Sequence, residues 1–98
     1  MARQVVRTES AWQELEAAAQ YIARDSPRYA AALMDEAKFA SRSLQMFPER
    51  GRRVPELGDI SIREIFIKNY RMLYEISLNE VVILTFLHGA RQFPGILR

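Results

Sequence analysis

The chain has 98 residues, enough for one domain spanning residues 1–98 but too few for two separate cores. It contains no cysteine and one histidine, which excludes disulfides, thiol nucleophiles and cysteine-ligated zinc, and we expect no metal and no cofactor. The 14 cations and 12 anions leave a net charge of +2, but residues 50–98 carry eight cations and five anions, mostly as arginine on the cationic side, which permits an anionic partner.

The N-terminal half predicts one strand and then a helix. Residues 4–7 form a short apolar run that predicts the first strand. Ser10 offers a helix N-cap, and Gln13 three residues later completes a capping box. Apolar residues then recur at spacings of three and four, which places them on one helical face: Trp12, Leu15, Ala19 and Ile22.

The second helix has the most regular pattern in the chain. Ser26 is predicted to cap it, with Pro27 at its first position, and Pro48 ends it. An apolar stripe about 18 residues long passes through Ala30, Leu33, Ala37, Ala40, Leu44 and Phe47. Because the connection between the helices is short, we expect an antiparallel helical hairpin.

The C-terminal half predicts a loop and three short strands. Residues 49–59 are rich in glycine and proline and are typical of a surface loop. Three runs have strand-like composition or alternation: residues 63–67, 70–77 and 81–88. Turns separate them at residues 68–69 and 78–80, and the tail from residue 89 is predicted to be irregular.

These elements predict an α+β fold, with an N-terminal strand and an antiparallel helical hairpin packed on a small antiparallel β-sheet. We expect the first strand to join the sheet beside the C-terminal strands. The aromatic side chains are assigned mainly to the core rather than to base stacking: Trp12, Phe39, Phe47, Phe66 and Phe86. No stretch approaches the roughly 18 apolar residues of a membrane span and no signal-peptide pattern is present, so we expect a cytoplasmic protein without membrane contact.

Basic side chains are spaced along the predicted strands and tail. We predict that five of them gather on one side of the sheet and bind an anionic target: Arg63, Lys68, Arg71, His88 and Arg91. A structural interpretation stays open for Arg71, which could pair with Glu64 or Glu75 across the sheet. It also stays open for His88, which could tie the sheet to a loop.

The loop cations Arg50, Arg52 and Arg53 have two interpretations as well. They either keep the loop soluble or bind carboxylates of a protein partner.

Five short motifs in this order resemble the RelE/ParE superfamily of bacterial type II toxins. They are YIARDSP at residues 21–27, PERGRRVPE at 48–56, IRE at 62–64, Tyr70-Arg71 with Tyr74, and Leu87-His88 with Arg91. The resemblance implies a toxin that is silenced by an antitoxin encoded by an adjacent gene. It also implies a hetero-oligomer in which the antitoxin tail wraps the hairpin and the sheet, with Arg50, Arg52 and Arg53 as candidate antitoxin contacts.

The superfamily contains two chemistries, and the resemblance leaves both open. ParE-like members inhibit DNA gyrase, whereas RelE-like members cleave mRNA in the ribosome with basic residues and often a C-terminal tyrosine. The tail after residue 88 contains no tyrosine, which favours the ParE-like branch. The alternatives are a nuclease using Arg63, Glu64, Arg71, His88 and Arg91, or a degenerate toxin that only binds antitoxin.

Overall fold

Seven elements follow one another along residues 3–89, the part of the chain that the computed structural model describes. They are β1 (Gln4–Arg7), α1 (Glu9–Ala23), α2 (Pro27–Ser43), β2 (Arg52–Arg53), β3 (Ile62–Ile67), β4 (Tyr70–Ile76) and β5 (Glu80–His88). Apart from residue 89, the predicted irregular tail lies outside the described residues, and so does Arg91.

Thr8, rather than Ser10, caps α1, so the predicted start of this helix is wrong by two residues. The Thr8 backbone N–H donates to the Ile83 carbonyl at 3.1 Å, which ends the pairing of β1 with β5. The Thr8 hydroxyl accepts from the Ala11 N–H at 3.1 Å, which satisfies one of the open donors at the helix start. One residue therefore ends the strand and begins the helix.

The predicted start of α2 is confirmed. The Ser26 hydroxyl accepts from the Tyr29 N–H at 3.1 Å, and Pro27 is the first helical residue. The apolar stripe is buried from Ala30 through Leu44, and it packs against α1 and the sheet. The helical hairpin is therefore held by the face that the sequence pattern predicts.

Phe47 departs from this stripe and is exposed, so its predicted burial is wrong. After Ser43 the N–H groups of Leu44, Gln45 and Met46 donate to carbonyls only three residues back. Such a tightened turn advances faster around the axis than an α-helix does. Phe47, which continues the stripe in the sequence pattern, is therefore rotated into solvent.

The sheet has the strand order β1-β5-β4-β3-β2. Strands β2 to β5 are antiparallel, and β1 lies beside β5 as expected but pairs with it in parallel, so the sheet is mixed. The predicted α+β class, a helical hairpin on a small sheet, is confirmed. The predicted loop at 49–59 contains the short edge strand β2, which pairs Arg52 with Glu64 and Arg53 with Arg63.

Both faces of the sheet are covered. The main core lies between the helices and the sheet, and a smaller one lies on the other face, where Val54, Leu73 and Leu87 are buried. Of the five aromatics assigned to the core, Phe86 is buried in the main core and Trp12 packs against that core. The other three, Phe39, Phe47 and Phe66, are exposed.

Among residues 3–89, no helix has the length and apolar character to cross a membrane.

Candidate functional site

The helix-free face of the sheet carries a buried pair of opposite charges. Ile65 and Met72 pack toward the helices, so the alternating neighbours Glu64 and Arg71 point to the other face. The Glu64 Oε1 atom accepts from Arg71 Nε at 2.7 Å and lies 2.6 Å from Arg71 Nη2. The structural interpretation of Arg71, in which it pairs with Glu64, is therefore what the fold contains.

Strand β2 and the segment that follows it complete this network from outside. Arg52 Nε donates to Glu64 Oε2 at 2.6 Å, and its guanidinium lies 5.0 Å from the ring centre of Phe66. Arg71 donates through Nη1 and Nη2 to the two Glu56 oxygens at 3.2 Å each. Two guanidinium groups and two carboxylates thus clamp the loop to the sheet through charge-assisted hydrogen bonds.

We call these four residues, Arg52, Glu56, Glu64 and Arg71, the charge clamp. The Glu64 side chain is 0% exposed and that of Arg71 is 6% exposed, so each needs an opposite charge to offset its desolvation. The hydrogen bond from Arg71 holds the pKa of Glu56 below its usual value of 4.5. Burial acts to lower the pKa of Arg71, but the hydrogen bonds to Glu56 and Glu64 outweigh it and the pKa is raised.

Arg63 lies on the opposite face from the charge clamp, beside a buried tyrosine. Arg63 Nη1 donates to the Gly51 carbonyl at 2.8 Å, and its Nε is buried without a hydrogen-bond partner in the described part of the chain. The Tyr74 hydroxyl accepts from the Gly51 N–H at 2.9 Å and donates to the Pro48 carbonyl at 2.8 Å. Burial raises the pKa of this phenol.

Gly51 is fixed by this packing. A Cβ atom at this position would lie 2.5 Å from the Tyr74 hydroxyl and 2.6 Å from the Glu64 carbonyl. Both distances are shorter than a van der Waals contact, so only glycine allows the chain to enter β2 here.

The prediction that the basic residues gather on one side of the sheet is wrong for the residues that the structure describes. Lys68 Nζ lies 2.7 Å from Glu36 Oε2 of α2, on the helix side, whereas Arg71 points away from the helices. His88 follows the alternation of Phe86 and so faces the helix side, where its ring meets Tyr70 edge-on at 5.4 Å between centres. Arg91 lies outside residues 3–89.

The three loop arginines are also separated. Arg52 belongs to the charge clamp, and Arg53 is exposed on β2 at the sheet edge farthest from β1. Arg50 donates from Nη1 to the Ser43 hydroxyl at 2.7 Å, at the end of α2. They do not form one surface, and their role as antitoxin contacts stays a prediction.

A groove of about 390 Å³ opens between the two helices and the sheet. Its floor is formed by Met72, Ile83 and Phe86. Small side chains leave it open where the helices face each other: Ala11 on α1 with Ala37 and Ser41 on α2. Three cations surround it and no carboxylate lines it: Arg7, which stacks on Trp12 at 3.7 Å, with Lys38 and Arg42.

The groove was missed by the sequence analysis. The small residues at the hairpin interface were a usable signal, since short side chains between packed helices leave room for a partner's side chain. Within residues 3–89, no three His, Asp or Glu side chains converge in an arrangement suited to a metal ion.

Comparison with known families identifies the chain. A family model for the ParE toxin of type II toxin-antitoxin systems, parDE, matches residues 5–93. The chain belongs to the ParE toxin family. The resemblance to the RelE/ParE superfamily and its ParE-like branch is therefore confirmed, and this protein is a type II toxin of the ParE family.

Two solved structures are similar to this ParE-family toxin. A chain of the chromosomal ParDE toxin-antitoxin system from P. aeruginosa has a TM-score of 0.70 at 17% identity, over 89% of this chain and 96% of its own. A chain of the toxin-antitoxin complex RelBE2 from Mycobacterium tuberculosis has a TM-score of 0.59 at 26% identity, over 93% and 95%. The first likeness shows the fold alone. No curated protein matches the sequence significantly.

Proposed function

We propose that this ParE-family toxin inhibits DNA gyrase in the cytoplasm and arrests growth until an antitoxin neutralises it. The charge clamp is the observation that carries the proposal, together with the family match. A nuclease of the kind that the resemblance implies would use cations such as Arg71 to stabilise the charge on a phosphorane. In this chain Glu56 and Glu64 already bind the Arg71 guanidinium, and the Glu64 carboxylate is sealed from solvent.

The position of the histidine supports the same conclusion. His88 is the remaining candidate in residues 3–89 for the proton-transfer group of a nuclease. It faces the helix side with Tyr70 and Phe86, whereas Arg71 faces the other side of the sheet. His88 and Arg71 therefore do not act together on one phosphate.

A ribosome-dependent endoribonuclease is the second candidate. The likeness to a chain of the RelBE2 complex, at 26% identity over most of both chains, favours it. Its catalytic set would be the one that the resemblance implies, Arg63, Glu64, Arg71, His88 and Arg91, acting on mRNA in the ribosome. A degenerate toxin that binds only its antitoxin is the outcome if neither activity is found.

Gyrase supercoiling and ribosomal mRNA cleavage, measured side by side with the purified chain, test the assignment. We expect supercoiling to be inhibited, mRNA to stay intact, and His88→Ala to inhibit gyrase as the parent does, because the proposed activity needs no proton transfer. Cuts in ribosome-bound mRNA that disappear in His88→Ala, with gyrase unaffected, would overturn the proposal in favour of the nuclease. Inhibition of neither system, with antitoxin binding intact, would leave the degenerate toxin.

We further propose that the groove between the helices and the sheet binds the cognate antitoxin, the product of an adjacent gene, in a hetero-oligomer. Both structural neighbours come from toxin-antitoxin systems. The groove offers an apolar floor at Met72 and a rim of Arg7, Lys38 and Arg42 without a carboxylate. That surface suits an amphipathic segment with apolar and acidic side chains, ordered on binding.

A further inference from the structure

Three large apolar side chains stand in solvent at the C-terminal end of α2. Phe39 is 64% exposed, Met46 is 65% exposed and Phe47 is 66% exposed. Together with Pro48 they line a shallow surface on α2 and the turn after it, which Arg3 and Arg50 border. We call this surface the α2 patch. Clustered apolar exposure of this kind marks an interaction site more often than chance.

The fold itself does not use the α2 patch. Phe39, Met46 and Phe47 belong to neither of the two buried clusters that hold the domain together. Phe39 lies off the buried stripe of its helix, between Ala37 and Ala40. Core packing therefore does not require large apolar side chains at these three positions.

The patch adjoins the groove across α2. Lys38 and Arg42 border the groove, whereas Phe39 and Ser43, one residue further along the chain in each case, lie on the patch. Successive helical residues are rotated by about 100°, so the two surfaces flank one ridge of the helix. A single partner segment that leaves the groove can cross that ridge onto the patch.

Charge identifies the kind of partner. The two surfaces together are lined by five cations, Arg3, Arg7, Lys38, Arg42 and Arg50, against one carboxylate, Glu49, although the whole chain has 14 cations and 12 anions. None of the five cations forms a salt bridge with another residue between positions 3 and 89. The two at the patch donate to neutral oxygens instead, Arg3 to the Ser77 carbonyl and Arg50 to the Ser43 hydroxyl. An acidic segment is the complementary occupant.

We infer that the α2 patch is a second anchor for the antitoxin. The apolar side chains of an acidic amphipathic segment would contact Phe39, Met46 and Phe47, and its carboxylates would pair with Arg3 and Arg50. One partner would then bind both sides of α2. A second copy of this chain is a poorer occupant because it would bring the same surplus of cations to the contact. The inference rests on the proposed antitoxin binding and deepens it.

Titration calorimetry of the purified chain with the proposed antitoxin, the product of an adjacent gene, tests this anchor. The triple variant Phe39→Ser, Met46→Ser, Phe47→Ser should bind at least about tenfold more weakly, since clustered apolar anchors carry much of an interface's energy. Its urea unfolding should match that of the parent, because all three side chains are already exposed. The control variant Tyr21→Ser, Ile60→Ser alters residues that are 69% and 63% exposed and line neither surface, and it should bind like the parent.

The outcomes separate this inference from the function on which it rests. If the parent chain does not bind the product of the adjacent gene, the proposed antitoxin binding itself fails. If the parent binds and the triple variant binds equally tightly, the groove suffices and the second anchor is wrong. If sedimentation shows a dimer of the chain alone that the triple variant abolishes, the patch belongs to a second copy and the inference is overturned.

Discussion

At the scale of single residues, the two glutamates of the charge clamp contribute unequally to the free energy of unfolding. Glu64 is fully buried between two guanidiniums, whereas the Glu56 side chain is about half exposed and its oxygens lie farther from Arg71. Glu64→Gln leaves a buried arginine without its main counter-charge and should lower the free energy of unfolding by roughly 3–5 kcal/mol. Glu56→Gln should cost less than about 1 kcal/mol because water screens the exposed pair.

Urea unfolding of both variants at neutral pH measures this difference. The double variant Glu64→Leu, Arg71→Met is the matched control, since replacing a buried ion pair with apolar groups of similar size is often close to neutral. A double variant as unstable as Glu64→Gln alone would mean that the loss comes from packing rather than from an unpaired charge.

Glu56 should also make the free energy of unfolding depend on pH in the acidic range. Its folded-state pKa lies below the ordinary 4.5, so its ion pair contributes fully at pH values above 4.5. That contribution is lost as the pH falls below 4.5 through the lowered folded-state pKa. The stability gap between the parent chain and Glu56→Gln should therefore close on acidification. Glu16→Gln, at an exposed glutamate of α1 without an ion pair in residues 3–89, is the control variant.

At the scale of elements, α2 supplies one side of the core and one exposed surface. Leu33 and Leu44 are both 0% exposed, and each should cost roughly 2–5 kcal/mol when changed to alanine. Phe39→Ala on the same helix is the matched control and should change the unfolding free energy by less than about 0.5 kcal/mol. A loss of less than about 1 kcal/mol at both leucines would show that the stripe contributes little to the core.

At the scale of the whole molecule, two basic surfaces compete as the electrostatic contact for the antitoxin. One is the groove rim near β1, and the other is the pair Arg52 and Arg53 at the opposite edge of the sheet. We expect Lys38→Ala, Arg42→Ala to weaken co-purification with the antitoxin, most strongly at low salt, where the charges of the parent chain are least screened. Arg52→Ala, Arg53→Ala tests the predicted antitoxin contact of these two arginines, which unchanged co-purification at low and high salt would exclude.

The reverse pattern would move the contact to the β2 edge and leave the groove without an electrostatic role. Because Arg52 belongs to the charge clamp, that variant also needs an unfolding control, for which Arg53→Ala alone serves.

Local chemistry within a few residues determined much of this protein from the sequence alone. The Ser26 cap with Pro27, the stripe from Ala30 to Leu44 and the alternation in β4 depend on neighbours within about one turn or one pleat, and each is confirmed. Motifs spread over the chain also identified the superfamily and its ParE-like branch.

Tertiary structure decided which charged side chains pair with each other. Alternation placed Arg71 on the face opposite Met72 and left Glu64 and Glu75 as its possible partners. The pairing of β3 with β4 selected Glu64, and the chain segment after β2 added Glu56, which the sequence analysis missed. The groove and the α2 patch arise in the same way, from how helices and turns meet. Hydrophobic pattern fixes which face of an element is buried, whereas contacts between elements fix which charge is neutralised and which apolar side chain stays in water.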